Sequence, residues 1–403
     1  MSDTGCLFCA APDVAPLLDF GSQPLTNRWP VAAADAEATF PLRMAVCGRC
    51  GVTQLVAPPP PDEIRSRYAW LSYNEPEGHL DDVVERFLRL PGIDSAATVV
   101  GTTYKEDTTF DRLRRRGLHR TWRIDLARDF DVADPAAGLE TLQQVLTPEA
   151  AERLAARHGR ADLIFARHVI EHAQHPRSFA AALKRLVKPQ GYVVFEVPDC
   201  TRSFDCGDYG MPWEEHVAYL TPPTYAAALG HLGFDVSSIA RYEYSHEDSL
   251  VAFCRVGSGS IAAQNASAAE LQPEIARARR YAADLPQARN AYRDYFRRFR
   301  AEQGPIAALG AGHLCAMFLN LLGVAEFVDF VVDDNPRKQG LHMPGSRLPI
   351  LPSTALIERG VRLCLLSVNP EVERRVREKN HSFSDAGGRW MSMFAGRPQV
   401  SDS

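Results

Sequence analysis

The stretch ADLIFARHVIEHAQHPRSFAAALKRLVKPQGYVVFEVPD, residues 161–199, reads as strand, loop, helix and strand in close succession. ADLIFARHV is a short apolar run, and so is YVVFEVPD. Runs of this length without polar alternation suit strands buried on both faces. Between them, PRSFAAALKRLVKPQG (176–191) is a helix followed by its own stop signal. The pattern repeats upstream. TVVGTTY (98–104) is a buried strand, FDRLRRRG (110–117) a helix ending on Gly117, TWRIDL (121–126) a second strand, and TPEAAERLAARHG (147–159) a capped helix. Such alternation predicts an α/β domain with a parallel, doubly wound sheet. In such a sheet an acid at the end of the second strand commonly holds the ribose of a nucleoside cofactor, which singles out Asp125. The plainer reading of Asp125 is a helix-capping or loop aspartate.

Ahead of this domain stand two Cys-x-x-Cys turns, Cys6 and Cys9 in CLFC and Cys47 and Cys50 in CGRC. Four thiols in two such turns predict one tetrahedral zinc site, structural because four thiolates leave no open position. PLRMAVC (41–47) supplies a strand running into the second turn, and PPPP (58–61) marks a rigid break after the module. Residues 264–302, rich in Ala, Arg, Glu and Gln, form a long helical connector. PIAALGAGHLCAMFLNLLG (305–323) and FVDFVVDDNPRKQG (327–340) then begin a second Rossmann-like unit. Its Gly310 and Gly312 resemble the start of a dinucleotide fingerprint, with Cys315 in place of the third glycine. Such a turn can hold a phosphate through backbone amides. The expected division is a zinc module over 1–75, a Rossmann-like domain over 76–258, and connector plus C-terminal Rossmann-like domain over 259–403.

The 403 residues are 45% hydrophobic and 24% charged, as in a soluble globular protein. A net charge of -5 argues against a general nucleic-acid binder. No apolar run is long enough to cross a bilayer, the first residues lack signal-peptide character, and the cysteine usage suits a reducing compartment, so a cytoplasmic location is expected.

Several segments in order carry a family resemblance: PLRMAVCGRCGVTQL (41–55), RYAWLSY (67–73), residues 138–176 around ARHVIEH, WEEHVAYLTP (213–222) and VDDNPRKQGLHMPGSRLPI (332–350). Together the chain resembles the three-domain, zinc-containing sugar C-methyltransferases. These act with S-adenosylmethionine on nucleotide-linked 4-keto sugars. The resemblance implies a central methyltransferase domain, a C-terminal domain that helps hold the nucleotide-linked sugar, and Glu215 and His216 as the active-site pair. His216 would be the base that removes the proton next to the ketone, a role suited to imidazole. His172 would bond the keto oxygen or relay a proton. His168 stands where the family has asparagine, and Tyr68 or Tyr73 would be the active-site phenol. Trp213 and Glu214 stand where the family has a tyrosine, so that role does not transfer.

One departure concerns the cofactor loop. The family's glycine-rich loop, close to E-I-G-x-x-D-G, corresponds here to GTTYKED (101–107). Cofactor contact falls on Gly101, Thr103, Lys105 and Asp107, together with Asp125. Yet Thr103 and Asp107 replace glycines, and Gly101 replaces the usual acid. Either the loop takes another path around the same cofactor, or cofactor binding is weakened or replaced. The alternatives to C-methylation are epimerisation or isomerisation next to a sugar ketone, and non-catalytic binding of a sugar nucleotide.

Overall fold

The computed structural model describes residues 5–12, 14–71, 75–257, 266–394, 397–398 and 400–401. The chain divides into two compact units. One comprises residues 1–16, 45–200 and 215–276, the other residues 17–44, 201–214 and 277–403.

Strands β1 (Val14–Pro24), β2 (Thr39–Cys47) and β3 (Thr53–Leu55) come first. The Cys47–Cys50 turn joins β2 to β3, as the PLRMAVC reading expected. The four thiols are buried, with Cys6 and Cys50 Sγ atoms 3.5 Å apart and Cys9 and Cys47 likewise 3.5 Å apart. Tetrahedral zinc with its usual sulfur distance needs sulfurs about 3.8 Å apart, so the donor set fits Zn2+. The first turn is clipped to β3 by Gln54, whose side chain accepts from the Leu7 amide (2.9 Å) and donates to the Gly5 carbonyl (3.2 Å).

The first unit then carries β4 (Val99–Gly101), β5 (Thr121–Arg123), β6 (Ala161–Arg167), β7 (Val187–Asp199), the short β8 (Ala218–Tyr219), β9 (Phe234–Tyr242) and β10 (Asp248–Val256). The main sheet has the order β5-β4-β6-β7-β10-β9. The first four strands are parallel, as the alternation predicts. β10 is antiparallel to both β7 and β9, so the sheet is mixed. The reason is the link: residues 243–247 suffice for a hairpin but not for a crossover.

Both sheet faces are covered. Val100, Ile164 and Val193 pack in one apolar cluster with Phe179 and Leu183 of helix Pro176–Leu186. Val99, Leu163, Phe165 and Val194 pack in another with Val83, Val84 and Phe87 of helix Leu80–Leu88. This alternation along each strand is what two-sided burial demands. Each large side chain so buried contributes about 1.5–3 kcal/mol.

β3 pairs antiparallel with β8 (Thr53 with Tyr219, Gln54 with Ala218) and completes a four-stranded sheet of order β1-β2-β3-β8. The Leu55 amide also donates to the Val217 carbonyl at 2.9 Å. The zinc clip is therefore tied by backbone to the residues just after His216.

The second unit holds a sheet of β11 (Ile306–Leu309), β12 (Phe330–Val332), β13 (Ile350–Leu351), β14 (Leu363–Leu366), β15 (Arg389–Ser392) and β16 (Val400–Ser401), ordered β13-β12-β11-β14-β15-β16. All pairs are parallel except the last. The predicted connector is helix Ala268–Glu302. At the Gly310–Gly312 turn, Asp333 accepts from the Ala311 amide (2.8 Å), and Lys338 donates to the Ala311 carbonyl (2.9 Å). A Cβ on Gly310 (φ +101) would come within 2.6 Å of Ser367 Oγ, so glycine is required there. Of the remaining cysteines, Cys200, Cys254, Cys315 and Cys364 are buried and Cys206 is exposed.

Metal analysis of the purified chain is expected to return one Zn2+, lost in Cys47→Ser. Because a structural zinc contributes folding energy outright, the variant is expected to melt roughly 10 °C lower or more. An unchanged melting curve in metal-free protein would exclude a structural metal.

Candidate active site

Three residues at the carboxyl end of β6 leave the strand as Arg167, His168 and Val169, and a 3₁₀ turn covers Ile170–His172. His168 has φ +51, a left-handed conformation that costs a non-glycine residue about 1–2 kcal/mol. What holds it there is a hydrogen bond from its amide to the Glu196 carbonyl on β7 (2.8 Å) and ring contacts on both sides. Nε2 lies 3.1 Å from Glu196 Oε1, and Nδ1 lies 3.4 Å from Glu171 Oε1.

Glu196 is the hub. Its carboxylate is 1% exposed in the middle of an apolar strand. It accepts from Arg167 Nε (2.6 Å) and from Ser249 Oγ on β10 (2.9 Å), and His79 Nε2 lies 3.0 Å away. Arg167, also 1% exposed, further contacts Glu77 and the Lys105 carbonyl. Burial alone would protonate Glu196, but Arg167 and His168 hold its carboxyl well below the usual range.

His172 and His216 meet edge to face, with ring centroids 4.5 Å apart. One donor atom from each of Glu171, His172 and His216 lies within 4.8 Å of the others, and the same holds for Glu140, His172 and Glu215. The structure thus brings together three of the expected residues: His172, Glu215 and His216. The Val217 amide donates to the Glu171 carbonyl (2.8 Å), which fixes the His216 segment to the turn bearing His172.

The histidines differ sharply in charge. Burial pushes the His216 imidazole down to about 3; Glu75 opposes this, while His168 and Lys105 reinforce it. Burial, with His216, Lys105 and His168 nearby, likewise holds His172 well below its ordinary value. Burial would lower His168 too, but Glu75, Glu196 and the hydrogen bond to Glu171 raise it to about 9. At neutral pH the site holds two neutral imidazoles facing an imidazolium and the Lys105 ammonium. Burial disfavours that ammonium, but Glu75 (Nζ–Oε1 2.9 Å) more than compensates.

The GTTYKED segment folds as the end of β4, a 3₁₀ turn over Tyr104–Glu106 and helix Asp107–Arg115. Thr103 caps the turn, its hydroxyl accepting from the Lys105 amide. Glu106 is wholly buried; its carboxylate accepts from the amides of Thr103 (2.6 Å) and Arg167 (2.9 Å). A Cβ on Gly101 would lie 2.7 Å from Phe110 Cζ and 2.8 Å from Glu106 Cβ. Glycine at 101 is thus required by packing, because Phe110 of the apolar cluster on that face of the sheet and Glu106 lie against it. The Thr103 and Arg167 amides at this edge of the sheet are taken by the chain's own Glu106.

The other expected residues are dispersed. Asp125 caps helix Leu126–Phe130, its Oδ1 accepting from the Arg128 amide at 2.8 Å. Asp107 pairs with Arg123 at 3.1 Å. Tyr68 rests its ring against Trp70 at 5.1 Å. Tyr73 lies outside the described residues. In the second unit, Trp213 stacks on His313 at 4.1 Å and donates to Thr26 Oγ1. Sequence reasoning missed Glu75, Glu140, Arg167, Glu171 and Glu196. The available signal was a charge inside each of two apolar strands, ADLIFAR and YVVFEVPD, where an unpaired charge is untenable.

Three family models match in succession: a zinc binding domain over residues 6–64, a methyltransferase domain over 65–239, and a C-methyltransferase C-terminal domain over 259–394. Among curated proteins, the C-methyltransferase NovU of Streptomyces niveus is 26% identical over 357 residues, 86% of this chain and 84% of that protein. Similar solved structures include a 1,6-didemethyltoxoflavin-N1-methyltransferase from Burkholderia thailandensis, 17% identical, covering 45% of this chain and 78% of that one at a TM-score of 0.29. The magnesium protoporphyrin IX methyltransferase from Synechocystis is 14% identical, covering 47% of this chain and 91% of that one at a TM-score of 0.31. With its zinc-binding, methyltransferase and C-terminal domains in that order, the chain belongs to the S-adenosylmethionine-dependent C-methyltransferases.

Proposed function

We propose that the chain acts on a nucleotide-linked keto sugar and forms an enolate at the carbon next to the ketone, the carbon nucleophile that C-methylation of such a sugar requires. The observation that carries this reading is the His172–His216 pair, neutral and faced by the cationic Lys105 and His168.

His216 takes the proton on its neutral imidazole. The negative charge moves to the ketone oxygen, which His172 is suited to bond and the two cations to stabilise. Glu215 and Glu140 sit beside His172 and serve to orient it. Burial is the main reason that this imidazole is a weak base; His168 and Lys105 weaken it further, and the same two cations stabilise the enolate. The zinc takes no part, being enclosed by four thiolates. The nucleotide-linked substrate is the one the sugar C-methyltransferase resemblance implies, with the C-terminal domain helping to hold it.

The test is deuterium wash-in at the α-carbon of a thymidine-diphosphate-linked 4-keto-6-deoxy sugar, followed by NMR. His216→Ala is expected to slow exchange by about 100-fold or more with the fold intact. Exchange equal to wild type would reject His216 as the base.

The pH profile follows from the two kinds of histidine. The working form of His216 is neutral, so activity falls only as pH drops through about 3. The working form of His168 is cationic, so activity falls as pH rises through about 9. Glu196→Gln removes one of the carboxylates that sustain the His168 charge and is expected to move the alkaline limb to lower pH. It also leaves Arg167 short of a partner, destabilising the chain by about 3–5 kcal/mol. An alkaline limb that stays in place in a folded Glu196→Gln protein would remove His168 from the mechanism.

A further inference from the structure

The loop after β4 carries, inside one turn, a buried carboxylate and a buried ammonium. Glu106 is satisfied as an incoming carboxylate would be: by the amides of Thr103 and Arg167, at the ends of two adjacent parallel strands, and by the hydroxyl of Thr103 at 3.1 Å. Those amides lie at the carboxyl edge of the sheet, where ligands of such folds bind. Lys105, 9% exposed, is held by Glu75. Arg167 braces the turn from beneath, through the Lys105 carbonyl. Gly101 packs directly against Phe110 and Glu106, which a Cβ there would strike.

To seat the amino-acid end of a methyl donor here, Glu106 would have to leave a site where it is wholly buried and hydrogen-bonded. The move would free two backbone amides and break the cap between Thr103 and Glu106. A buried carboxylate stripped of its hydrogen-bond partners is strongly disfavoured. A single carboxylate ligand does not readily recover that.

We propose that Glu106 and Lys105 occupy the donor pocket of this chain themselves, and that the enolate formed at the histidine pair is trapped by a proton instead of a methyl group. This rests on the enolate reading given above. The chemistry balances without a co-reactant. The α C–H bond breaks, its proton passes to His216, and its electron pair enters the enolate with charge on the ketone oxygen. A proton then returns to carbon. Return from His216 to the same face, after its proton has exchanged with solvent, gives exchange with retention; delivery of a solvent proton to the opposite face inverts the centre and leaves the abstracted proton to pass from His216 to solvent. Nothing is oxidised and no leaving group departs.

Two measurements on the full-length, zinc-loaded chain decide the matter. Calorimetric titration with S-adenosylhomocysteine is expected to show no saturable binding up to millimolar concentration; saturable binding in that range overturns the self-occupied pocket. Deuterium wash-in into the thymidine-diphosphate-linked 4-keto-6-deoxy sugar is expected at one rate with and without S-adenosylmethionine, and with no methylated product. A methylated product overturns proton trapping but leaves the enolate reading standing. Absence of exchange under both conditions overturns the enolate reading itself, and the titration still decides the state of the pocket. As a positive control, Lys105→Asn combined with Glu106→Asp and Asp107→Gly opens the turn. Gain of S-adenosylhomocysteine binding in that variant, absent from wild type, is the result expected of a pocket closed by these side chains. If neither protein binds the probe, occupancy by these side chains is not what closes the site, and the proposal fails.

Discussion

A single carboxylate, that of Glu196, conditions most of the first unit. It sits within a strand whose neighbours are apolar, where an uncompensated charge is not tolerated. Arg167, His168, Ser249 and His79 converge on it from β6, from β10 and from the start of helix Leu80–Leu88. Each of these groups is thereby fixed in position. His168 accepts a left-handed backbone, and Arg167 is aimed at the loop after β4. Against burial, Glu75 and Glu196 together raise His168. A buried network of this kind is worth little as net stability but much as specification, because its partly satisfied variants are so costly.

The zinc clip bears on the same site from the other side. Gln54 ties the first Cys turn to β3, β3 pairs with β8, and Val217, the residue after His216, is held by backbone bonds to both Leu55 and Glu171. The imidazole thus stands between a metal-stapled sheet and the turn carrying His172. The structural metal and the candidate base are coupled through backbone hydrogen bonds, although the thiols take no part in the chemistry.

Much of this could be read from the chain. The strands were legible because two-sided burial leaves unbroken apolar runs, and the helices because Thr147, Pro176 and Gly117 punctuate them. The four thiols declared themselves by spacing, and His172 and His216 by the segments around them. The antiparallel β10 was not legible from alternation, since only the brevity of the link after β9 requires it. The charge network was hidden for a different reason. Lys105 meets Glu75 thirty positions away and Arg167 meets Glu196 twenty-nine away, pairings that exist only once the sheet order is set. Asp125 makes the cap of its plainer reading, with the Arg128 amide, just after the second strand of the parallel set.

The substitutions in the loop after β4 are mutually consistent. A stray charge on a glycine-rich loop would be destabilising and isolated. Here Lys105 has Glu75, Glu106 has two amides and two threonine hydroxyls, and Gly101 stands where a Cβ would strike Phe110 and Glu106. Agreement among so many separate choices is what distinguishes a built arrangement from a decayed one. Lys105 and His168 also lower the cost of an enolate at the histidine pair, by the same Coulomb interaction that adds to burial in keeping His172 and His216 neutral. A loop remodelled in this way improves the site for forming a carbanion while closing the space for a carbon electrophile, and that combination favours a proton as the group that returns.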